Sequence, residues 1–314
     1  MATYKEIHGV NVQYRSSDAP EIEGDVWYNS NPGKLRMYAS AGSWASGGNI
    51  NTGRAYLGVS GTQTATLAVG GNSPAKDETE TYDGSSWTEV GDLSTAKTNT
   101  SASGTQTAAV SFLYSPAGVN AEKWNGTSWT ESGNLNSGRH DGGGCGTSTA
   151  TLCMGGDPGH KPKVESFDGS SWTEGTDMNS GRAKMQVAKE GTTTASLVAG
   201  GELPGDTANA EIWNGTSWTE VGNLNTGRSS GGGAGGTTDA VIYGGDSPQT
   251  GKTESYDGST WTEVADMGTV GNNLSGSGSA TAAIRVGGTS DPTTIVAISE
   301  EWSFVASVET VAFD

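Results

Sequence analysis

A recurring eight-residue phrase is the feature that most limits how this 314-residue chain can fold. The copy at residues 82–89 reads YDGSSWTE, and similar copies begin at residues 124, 167, 213 and 256. A looser copy precedes them and ends at Trp44. The tryptophans of these copies are Trp44, Trp87, Trp129, Trp172, Trp218 and Trp261, with successive gaps of 43, 42, 43, 46 and 43 residues. A period of about 40 to 50 residues is typical of a four-stranded propeller blade.

Each period contains four short segments with the composition of β-strands. In the first period they are residues 55–59, 64–69, 78–82 and a fourth segment that carries Trp87. Asp83-Gly84 separates the last two segments, and both residue types tolerate the positive φ of a tight hairpin turn. Small residues fill the first two segments and large rings the last two, which suits the narrow and wide ends of a blade. The pattern predicts an all-β fold with four antiparallel strands in each blade.

The number of segments predicts a six-bladed β-propeller. First-and-second-strand units begin near Arg54, Lys97, Arg139, Arg182, Arg228 and Gly271. Trp44 precedes the first unit, and no good fourth strand follows Trp302 in the last one. A strand from the N-terminal part of the chain, around Trp44, therefore closes the ring and removes a free sheet edge. The third strand of this closing blade comes either from Tyr38 or from Trp302. We expect residues 1–36 to form an N-terminal docking arm and residues 37–314 to form the propeller.

Composition argues against several classes of protein. The formal net charge is −18, whereas binding to a phosphate backbone needs clustered Lys and Arg. No apolar run approaches the roughly 18 residues of a membrane span, and the first residues lack the features of a secretory signal. Two cysteines are too few for a disulfide framework. We therefore expect no nucleic-acid partner, no membrane insertion, and synthesis in the cytoplasm of the producing cell.

The order of a glycine pair, an aromatic residue and a tryptophan at this period resembles the kelch repeat. The pairs are Gly70-Gly71, Gly155-Gly156, Gly200-Gly201, Gly244-Gly245 and Gly287-Gly288. The second blade departs from the pattern, because Phe112-Leu113-Tyr114 occupies the place of the pair. The resemblance implies a kelch-like propeller, a fold that supports many functions.

A second resemblance involves residues 24–44. The matching runs are Gly24-Asp25-Val26-Trp27-Tyr28-Asn29, Leu35-Arg36-Met37-Tyr38 and Gly42-Ser43-Trp44. Similar runs occur near the ends of bacteriophage tail-fibre and related structural proteins, and propellers of this composition resemble marine phage gene products. The resemblance implies a virion protein, present in several copies, that is associated with the tail or fibre or decorates the capsid. Trp27 and Tyr28 are then the candidate virion-docking residues. The alternative is a plain β-hairpin that docks on the ring.

The sequence does not indicate a catalytic centre. His8, His140 and His160 lie in different contexts without metal-ligand spacing, so we expect no metal, no cofactor and no enzymatic activity. The alternative enzyme is a sialidase-like glycan-processing propeller, but residues 255–261 are one residue too short for its Asp box. Its arginine triad would use three of the residues Arg54, Arg139, Arg182, Arg228 and Arg285. Four of these recur at one repeat position, which favours a structural role in bonding loop carbonyls between neighbouring blades.

Binding is the function that the loops favour. The loops between second and third strands differ most between copies, and they share one face with the inter-blade loops. Variable loops on a rigid ring commonly carry recognition. The candidate binding residues on this face are His140, Asp141, Asp157, His160, Lys161 and Lys163. The expected partner is another virion protein or a host surface glycan, used in host attachment. A cellular kelch-type interaction scaffold is the alternative function.

Overall fold

The computed structural model describes residues 13–15, 26–30, 34–72, 74–246, 248–291 and 293–310. The chain divides into two compact units, one formed by Ser43–Ser303 and the other by Met1–Gly42 with Phe304–Asp314. The described residues form strands, turns and loops, and none of their segments is a helix that could cross a membrane. The predicted division at residues 36 and 37 stays a prediction.

The smaller unit contains a short sheet. Its strands are β1 (Gln13–Arg15), β2 (Val26–Asn29) and the beginning of β3 (Lys34–Ser46). Strand β1 pairs with β2 in parallel, and β2 pairs with β3 in antiparallel register, with Trp27 opposite Arg36. The indole of Trp27 is buried.

Five blades of the larger unit are four-stranded antiparallel sheets, each built from consecutive strands. Blade 1 has β4 (Gly58–Thr62), β5 (Ala65–Val69), β6 (Thr79–Tyr82) and β7 (Trp87–Glu89). Blade 2 has β8 (Ser101–Gly104), β9 (Ala109–Phe112), β10 (Ala121–Trp124) and β11 (Trp129–Ser132). Blade 3 has β12 (Gly143–Thr147), β13 (Ala150–Met154), β14 (Val164–Phe167) and β15 (Trp172–Glu174). Blade 4 has β16 (Gln186–Val187), β17 (Ser196–Ala199), β18 (Ala210–Trp213) and β19 (Trp218–Val221). Blade 5 has β20 (Gly232–Gly235), β21 (Ala240–Tyr243), β22 (Thr253–Tyr256) and β23 (Trp261–Val264).

Both ends of the chain contribute to blade 6. Its first three strands are β24 (Ser275–Gly278), β25 (Ala282–Val286) and β26 (Ser299–Thr310), and β3 is the next strand in the sheet. Trp302 is therefore on the third strand, and Tyr38 lies on the same strand as Trp44. The Trp44 ring packs 4.8 Å from Tyr243 and 5.5 Å from Trp302, and its Nε1 donates to Thr253 Oγ1 at 3.0 Å. The prediction of six blades closed by an N-terminal strand is confirmed.

Residue size follows the wedge shape of the blades. On the outer strands, aromatic pairs such as Tyr82 and Trp87, with ring centroids 4.9 Å apart, fill the wide end. On the inner strands, glycine lets a neighbouring blade approach. A Cβ on Gly144 of β12 would lie 2.3 Å from the Phe112 ring of blade 2, a distance that real atoms do not adopt. The predicted placement of small residues inside and rings outside is therefore explained by packing between blades.

A buried ion pair holds the loop-face end of each blade. In blade 1, the Arg54 guanidinium donates to Glu80 Oε1 at 2.7 Å and to the carbonyls of Gly70 and Glu78 at 2.9 and 2.7 Å. Both side chains of the pair are buried. The six pairs are Arg54–Glu80, Lys97–Glu122, Arg139–Glu165, Arg182–Glu211, Arg228–Glu254 and Arg285–Glu300. Each glutamate lies on a third strand, and in blades 1 to 5 the cation fastens an inter-blade loop to the blade that follows it.

The arginine side chains donate hydrogen bonds to loop carbonyls, as predicted. These carbonyls belong to the arginine's own blade, however, and not to the neighbouring blade as predicted. Contact between blades instead uses the backbone of the same residues. In four of the five glycine pairs the second glycine donates its N–H to the carbonyl of the next cation in the ring, as Gly288 does to Arg54 at 2.8 Å and Gly201 to Arg228 at 2.8 Å, whereas Gly245 donates to Gly271. Four of the cations thus connect their own blade through the side chain and the preceding blade through the peptide group, namely Arg54, Lys97, Arg182 and Arg228.

Blade 6 obtains its cation from a different position. Gly271 occupies the repeat position of Arg54, and Arg285 of the second strand replaces the missing arginine. Its Nη1 lies 3.2 Å from Glu300, and its Nη2 donates to Gly287 O at 3.0 Å. A Cβ on Gly271 would lie 2.7 Å from Arg285 Nη2, so the guanidinium fills the space beside this glycine.

The substitution Arg228→Met tests the structural value of the ion pair. Removing the cation leaves Glu254 buried without its partner, so we expect a loss of about 3–5 kcal/mol in the free energy of unfolding, measured by urea denaturation. The matched control is Lys252→Met, because the Lys252–Glu263 pair lies in solvent and its loss should cost far less stability than that of the buried pair. Equal losses in the two variants would contradict a special role for the buried pair.

Blade 6 allows a rescue experiment. Arg285→Ala installs the residue that blade 1 has at this position, Ala68, and leaves Glu300 without its cation. We expect this single variant to be strongly destabilised, and the double variant Gly271→Arg/Arg285→Ala to regain at least half of the lost free energy of unfolding. Thermal and urea denaturation of both variants measure this recovery. If the second substitution only adds to the damage, the proposed equivalence of the two positions is wrong.

Candidate functional site

Six equivalent residues surround the mouth of the central channel on the loop face. They lie where the inter-blade loops enter the first strands, and each has a left-handed backbone with φ between 51° and 62°. The six, called the mouth ring below, are Tyr56, Asn99, Asp141, Lys184, Ser230 and Asn273. Each lies two residues after the repeat position of Arg54.

Backbone hydrogen bonds connect the mouth ring from blade to blade. Lys184 N donates to Asp141 O at 2.6 Å, and Ser230 N donates to Lys184 O at 2.8 Å. Between the last and first blades, Tyr56 N donates to Asn273 O at 2.9 Å. These bonds fix the backbone around the axis and leave the side chains to vary.

The left-handed conformation makes the choice of side chain informative. Glycine adopts this conformation at no steric cost, whereas a non-glycine residue held there is strained by about 1–3 kcal/mol. The chain contains 50 glycines, yet none occupies the mouth ring. All six positions have polar side chains instead, and five residue types are represented. Strain of this kind commonly accompanies function, so the mouth ring is the candidate functional site.

Polar contacts connect several ring side chains to their surroundings. Asn99 Nδ2 donates to Asp141 Oδ1 at 2.5 Å, and the other oxygen of Asp141 lies 3.0 Å from His140 Nδ1. Lys184 Nζ lies 2.8 Å from Glu202 Oε2. The ring therefore presents amide, carboxylate, ammonium and phenol groups in a fixed order.

Two spaces that share lining residues lie at this site. A cavity of about 530 Å³ on the loop face shares Tyr56, Lys184 and Asn273 with a narrow channel of about 90 Å³. Glu202, Asp206 and Asp246 line the wider cavity, and the first strands of the blades line the channel. The wider space can hold a ligand of several rings, whereas the channel admits only a small group.

Neighbouring charges change the proton affinity of two ring residues. Burial raises the pKa of the Tyr56 phenol, and Asp141 adds to this effect while Lys184 opposes it. Burial alone would lower the pKa of Lys184, but Glu202 and Asp141 outweigh it and raise the pKa. Tyr56 is therefore a neutral hydrogen-bonding group, and Lys184 a cation, throughout the neutral pH range.

Three of the residues predicted from the variable loops, His140, Asp157 and His160, lie beside Asp141 or contact one another. His140 and Asp157 exchange backbone hydrogen bonds of 3.0 and 2.8 Å. His160 N donates to Asp157 Oδ1 at 2.9 Å, and Lys161 Nζ donates weakly to Ser137 Oγ at 3.4 Å. Of the predicted residues, only Asp141 belongs to the mouth ring. The binding role of the others stays a prediction.

The remaining predicted residues lie elsewhere. Lys163 pairs with Glu174 on the fourth strand of blade 3, near the outer edge. Trp27 is buried and Tyr28 half-buried in the smaller unit, and their docking role stays a prediction. His8 lies outside the described residues.

The other five mouth-ring residues were missed, although the sequence contains a signal for them. They differ from blade to blade at a fixed offset of two from the repeat position of Arg54, which is a cation in five of the six blades. Variation within an otherwise constant frame is the feature that marks them. The offset alone does not show that these side chains surround an axis.

The side chains considered as catalytic candidates have structural roles or are buried. The guanidinium groups of all five candidate triad arginines are buried in ion pairs. Cys145 and Cys153 are free and buried, and burial raises the pKa of both thiols. Asp257 of the shortened Asp box closes an outer turn, where its Oδ1 accepts from Ser259 N and Thr260 N at 2.8 Å. Within the described residues, no three His, Cys, Asp or Glu side chains cluster as metal ligands would.

Comparison with known proteins identifies the fold. No family model and no curated protein sequence matches this chain. A solved structure of the protein YjhT is similar, with a TM-score of 0.71 at 12% sequence identity, and the match covers 85% of this chain and all of YjhT. At this identity the similarity concerns the fold alone. The chain is therefore a six-bladed β-propeller whose architecture is similar to that of YjhT.

Proposed function

We propose that this protein is a non-enzymatic binding propeller that holds a host surface polysaccharide at the mouth ring. The observation that carries the proposal is the set of six strained, non-glycine, polar residues around the channel, three of which, Tyr56, Lys184 and Asn273, also line the wider cavity. Their side chains have no common structural partner, since Asn99 contacts Asp141 whereas Lys184 contacts Glu202. Recognition of a ligand accounts for the strain better than folding does.

The chemistry of the site favours a hydroxyl-rich ligand. Sugar hydroxyls both donate and accept hydrogen bonds, so they need partners of both kinds. The side-chain amides of Asn99 and Asn273 offer both, Asp141 accepts, and Lys184 donates. Tyr56 adds the single aromatic face of the ring, which suits the apolar face of a sugar. A cavity of about 530 Å³ is large enough for a short oligosaccharide segment.

The absence of enzymatic activity is part of the proposal. The arginines that a sialidase-type triad needs are buried in structural ion pairs. The free thiols are buried, and their raised pKa values keep them in the unreactive protonated form at neutral pH. These features support binding without turnover.

The location in a tailed-phage particle is also part of the proposal. The support for this location is the sequence resemblance of residues 24–44 to phage structural proteins. The propeller fold itself does not favour a particle, because propellers occur in proteins of many functions. In a particle, residues 1–36 would contact a neighbouring virion protein while the loop face stays available to the host. Several copies per particle would give the avidity that single polysaccharide contacts lack.

The direct test is binding of the purified chain to an array of bacterial surface polysaccharides, with product analysis of each bound polymer. We expect at least one polymer to bind without being cleaved. Tyr56→Ala and Lys184→Ala should each weaken that binding about tenfold or more, which corresponds to about 1.4 kcal/mol.

Lys252→Ala is the matched control, because Lys252 is exposed and pairs with Glu263 on an outer strand. It should bind as the parent does. The proposal is wrong if no polymer binds, if bound polymer is cleaved, or if the two mouth-ring variants retain full affinity. Antibody labelling of purified phage particles, imaged by electron microscopy, tests the virion location separately, and unlabelled particles would contradict it.

A further inference from the structure

Blade 4 differs from the other blades inside the central channel. The other five have glycine five residues after the mouth ring, with φ between 89° and 124°. These glycines are Gly61, Gly104, Gly146, Gly235 and Gly278. Blade 4 has Lys189 at this position. Its first hairpin is also two residues longer, since Gln186 lies opposite Ala199 whereas Gly58 lies opposite Val69.

The longer hairpin makes room for a side chain that the other blades exclude. A Cβ on Gly61 would lie 2.2 Å from the carbonyl oxygen of Ala65, so a lysine does not fit the standard hairpin. Strand β16 ends at Val187, and Ala188 then donates to Leu197 O at 3.0 Å. Blade 4 therefore has a local structure that accommodates Lys189.

The Lys189 side chain reaches across the channel. Its Nζ donates to Gly144 O of blade 3 at 3.1 Å and to Ala102 O of blade 2 at 3.4 Å. Both carbonyls belong to innermost strands, and Lys189 lines the channel of about 90 Å³. An ammonium group has three donors, so these two carbonyls leave one donor for a ligand in the channel.

The charge of this ammonium group has no carboxylate counterpart. Among the described residues, no Asp or Glu oxygen lies within ion-pair distance of Lys189, whereas the buried Lys97 pairs with Glu122. The thiol of Cys145 interacts electrostatically with Lys189 from a neighbouring strand, and burial raises the pKa of this thiol to about 11, so it stays neutral. Asp141 and Lys184 line the channel at its mouth, but Asp141 is bonded to Asn99 and Lys184 to Glu202. Lys189 is half-buried, and a cation that has lost much of its water and has no anion beside it is costly.

We propose that the channel is a binding site for a small monovalent anion, held against the ammonium group of Lys189. The small volume of about 90 Å³ suits a compact anion of the size of formate. The anion supplies the missing negative charge and occupies the remaining donor. This site lies below the mouth ring, and its ligand and its test are separate from those of the proposed polysaccharide.

The pH dependence of binding follows from the state of the amine. Burial lowers the pKa of Lys189 to about 8, so the group is mainly charged at pH 7 and becomes neutral above pH 8. Anion affinity should be high on the acidic side of this pKa and fall as pH rises through it. A bound anion that favours the charged amine tenfold raises the Lys189 pKa by about one unit.

Calorimetric titration of the full chain with sodium formate tests the site. We expect binding at pH 7 that weakens above pH 8, and at least tenfold weaker binding in Lys189→Gly. That variant installs the residue of the other five blades and should fold, which circular dichroism checks. NMR titration of labelled lysine side chains should show one amine, absent in Lys189→Gly, whose pKa rises when formate is added.

Lys252→Met is the control and should bind formate as the parent does. The proposal is overturned if the parent does not bind formate at pH 7, or if Lys189→Gly binds it with unchanged affinity. A folded Lys189→Gly protein that loses formate but keeps polysaccharide binding would support two separate sites. Loss of polysaccharide binding in Tyr56→Ala with formate binding intact would support the same separation.

Discussion

A buried cation next to a third-strand glutamate is the interaction on which the rest of the propeller depends. Arg54 shows how it acts, because its side chain closes the loop-face end of blade 1 and its carbonyl accepts a hydrogen bond from Gly288 of blade 6. The same residue therefore fixes the shape of a blade and its attachment to the preceding one. Two residues later the backbone turns into the left-handed conformation that forms the mouth ring. The geometry of the site thus follows from the ion pairs beneath it.

This arrangement separates the parts of the molecule that hold the fold from the parts that can vary. The ion pair is present in blade 2 with a different cation, Lys97, which pairs with Glu122. It is also present in blade 6 with the cation at a different position, because Arg285 supplies the charge that Gly271 lacks. The mouth-ring backbone is equally constant, although its side chains range from serine to tyrosine. Because backbone hydrogen bonds hold the ring together, its side chains are available for recognition without loss of the fold.

Much of the fold could be predicted from the sequence, because the residues that pack within each blade recur at the period of a propeller blade. The spacing of Trp87 and its equivalents indicated six blades, and the isolated Trp44 indicated closure by the N-terminal part of the chain. The choice between Tyr38 and Trp302 needed the structure, since both residues lie on strands of the closing sheet. The hydrogen-bond partners of the arginines also required the structure. A repeated position shows that the arginines share a role, but it does not show whether they bond within one blade or between neighbouring blades.

The site was less predictable than the fold. Asp141 was found through its loop, but Tyr56 and Lys184 belong to segments that look like ordinary strand entries. Their meaning depends on φ and on convergence at an axis, and neither is visible in residue types alone. Lys189 was overlooked for a related reason. Its significance appears only when the other five blades show glycine at its place and the structure shows its ammonium group inside the channel.

The central claim is that the mouth-ring side chains serve ligand binding and not folding. The most direct measurement is the free energy of unfolding of three variants, Tyr56→Gly, Lys184→Gly and Ser230→Gly, compared with the parent by urea denaturation. In each, relief of the left-handed strain and the added freedom of the unfolded chain oppose one another, so the account predicts changes within about 1 kcal/mol. A loss of more than about 2 kcal/mol in each variant would show that the side chains hold the fold together, which contradicts the account.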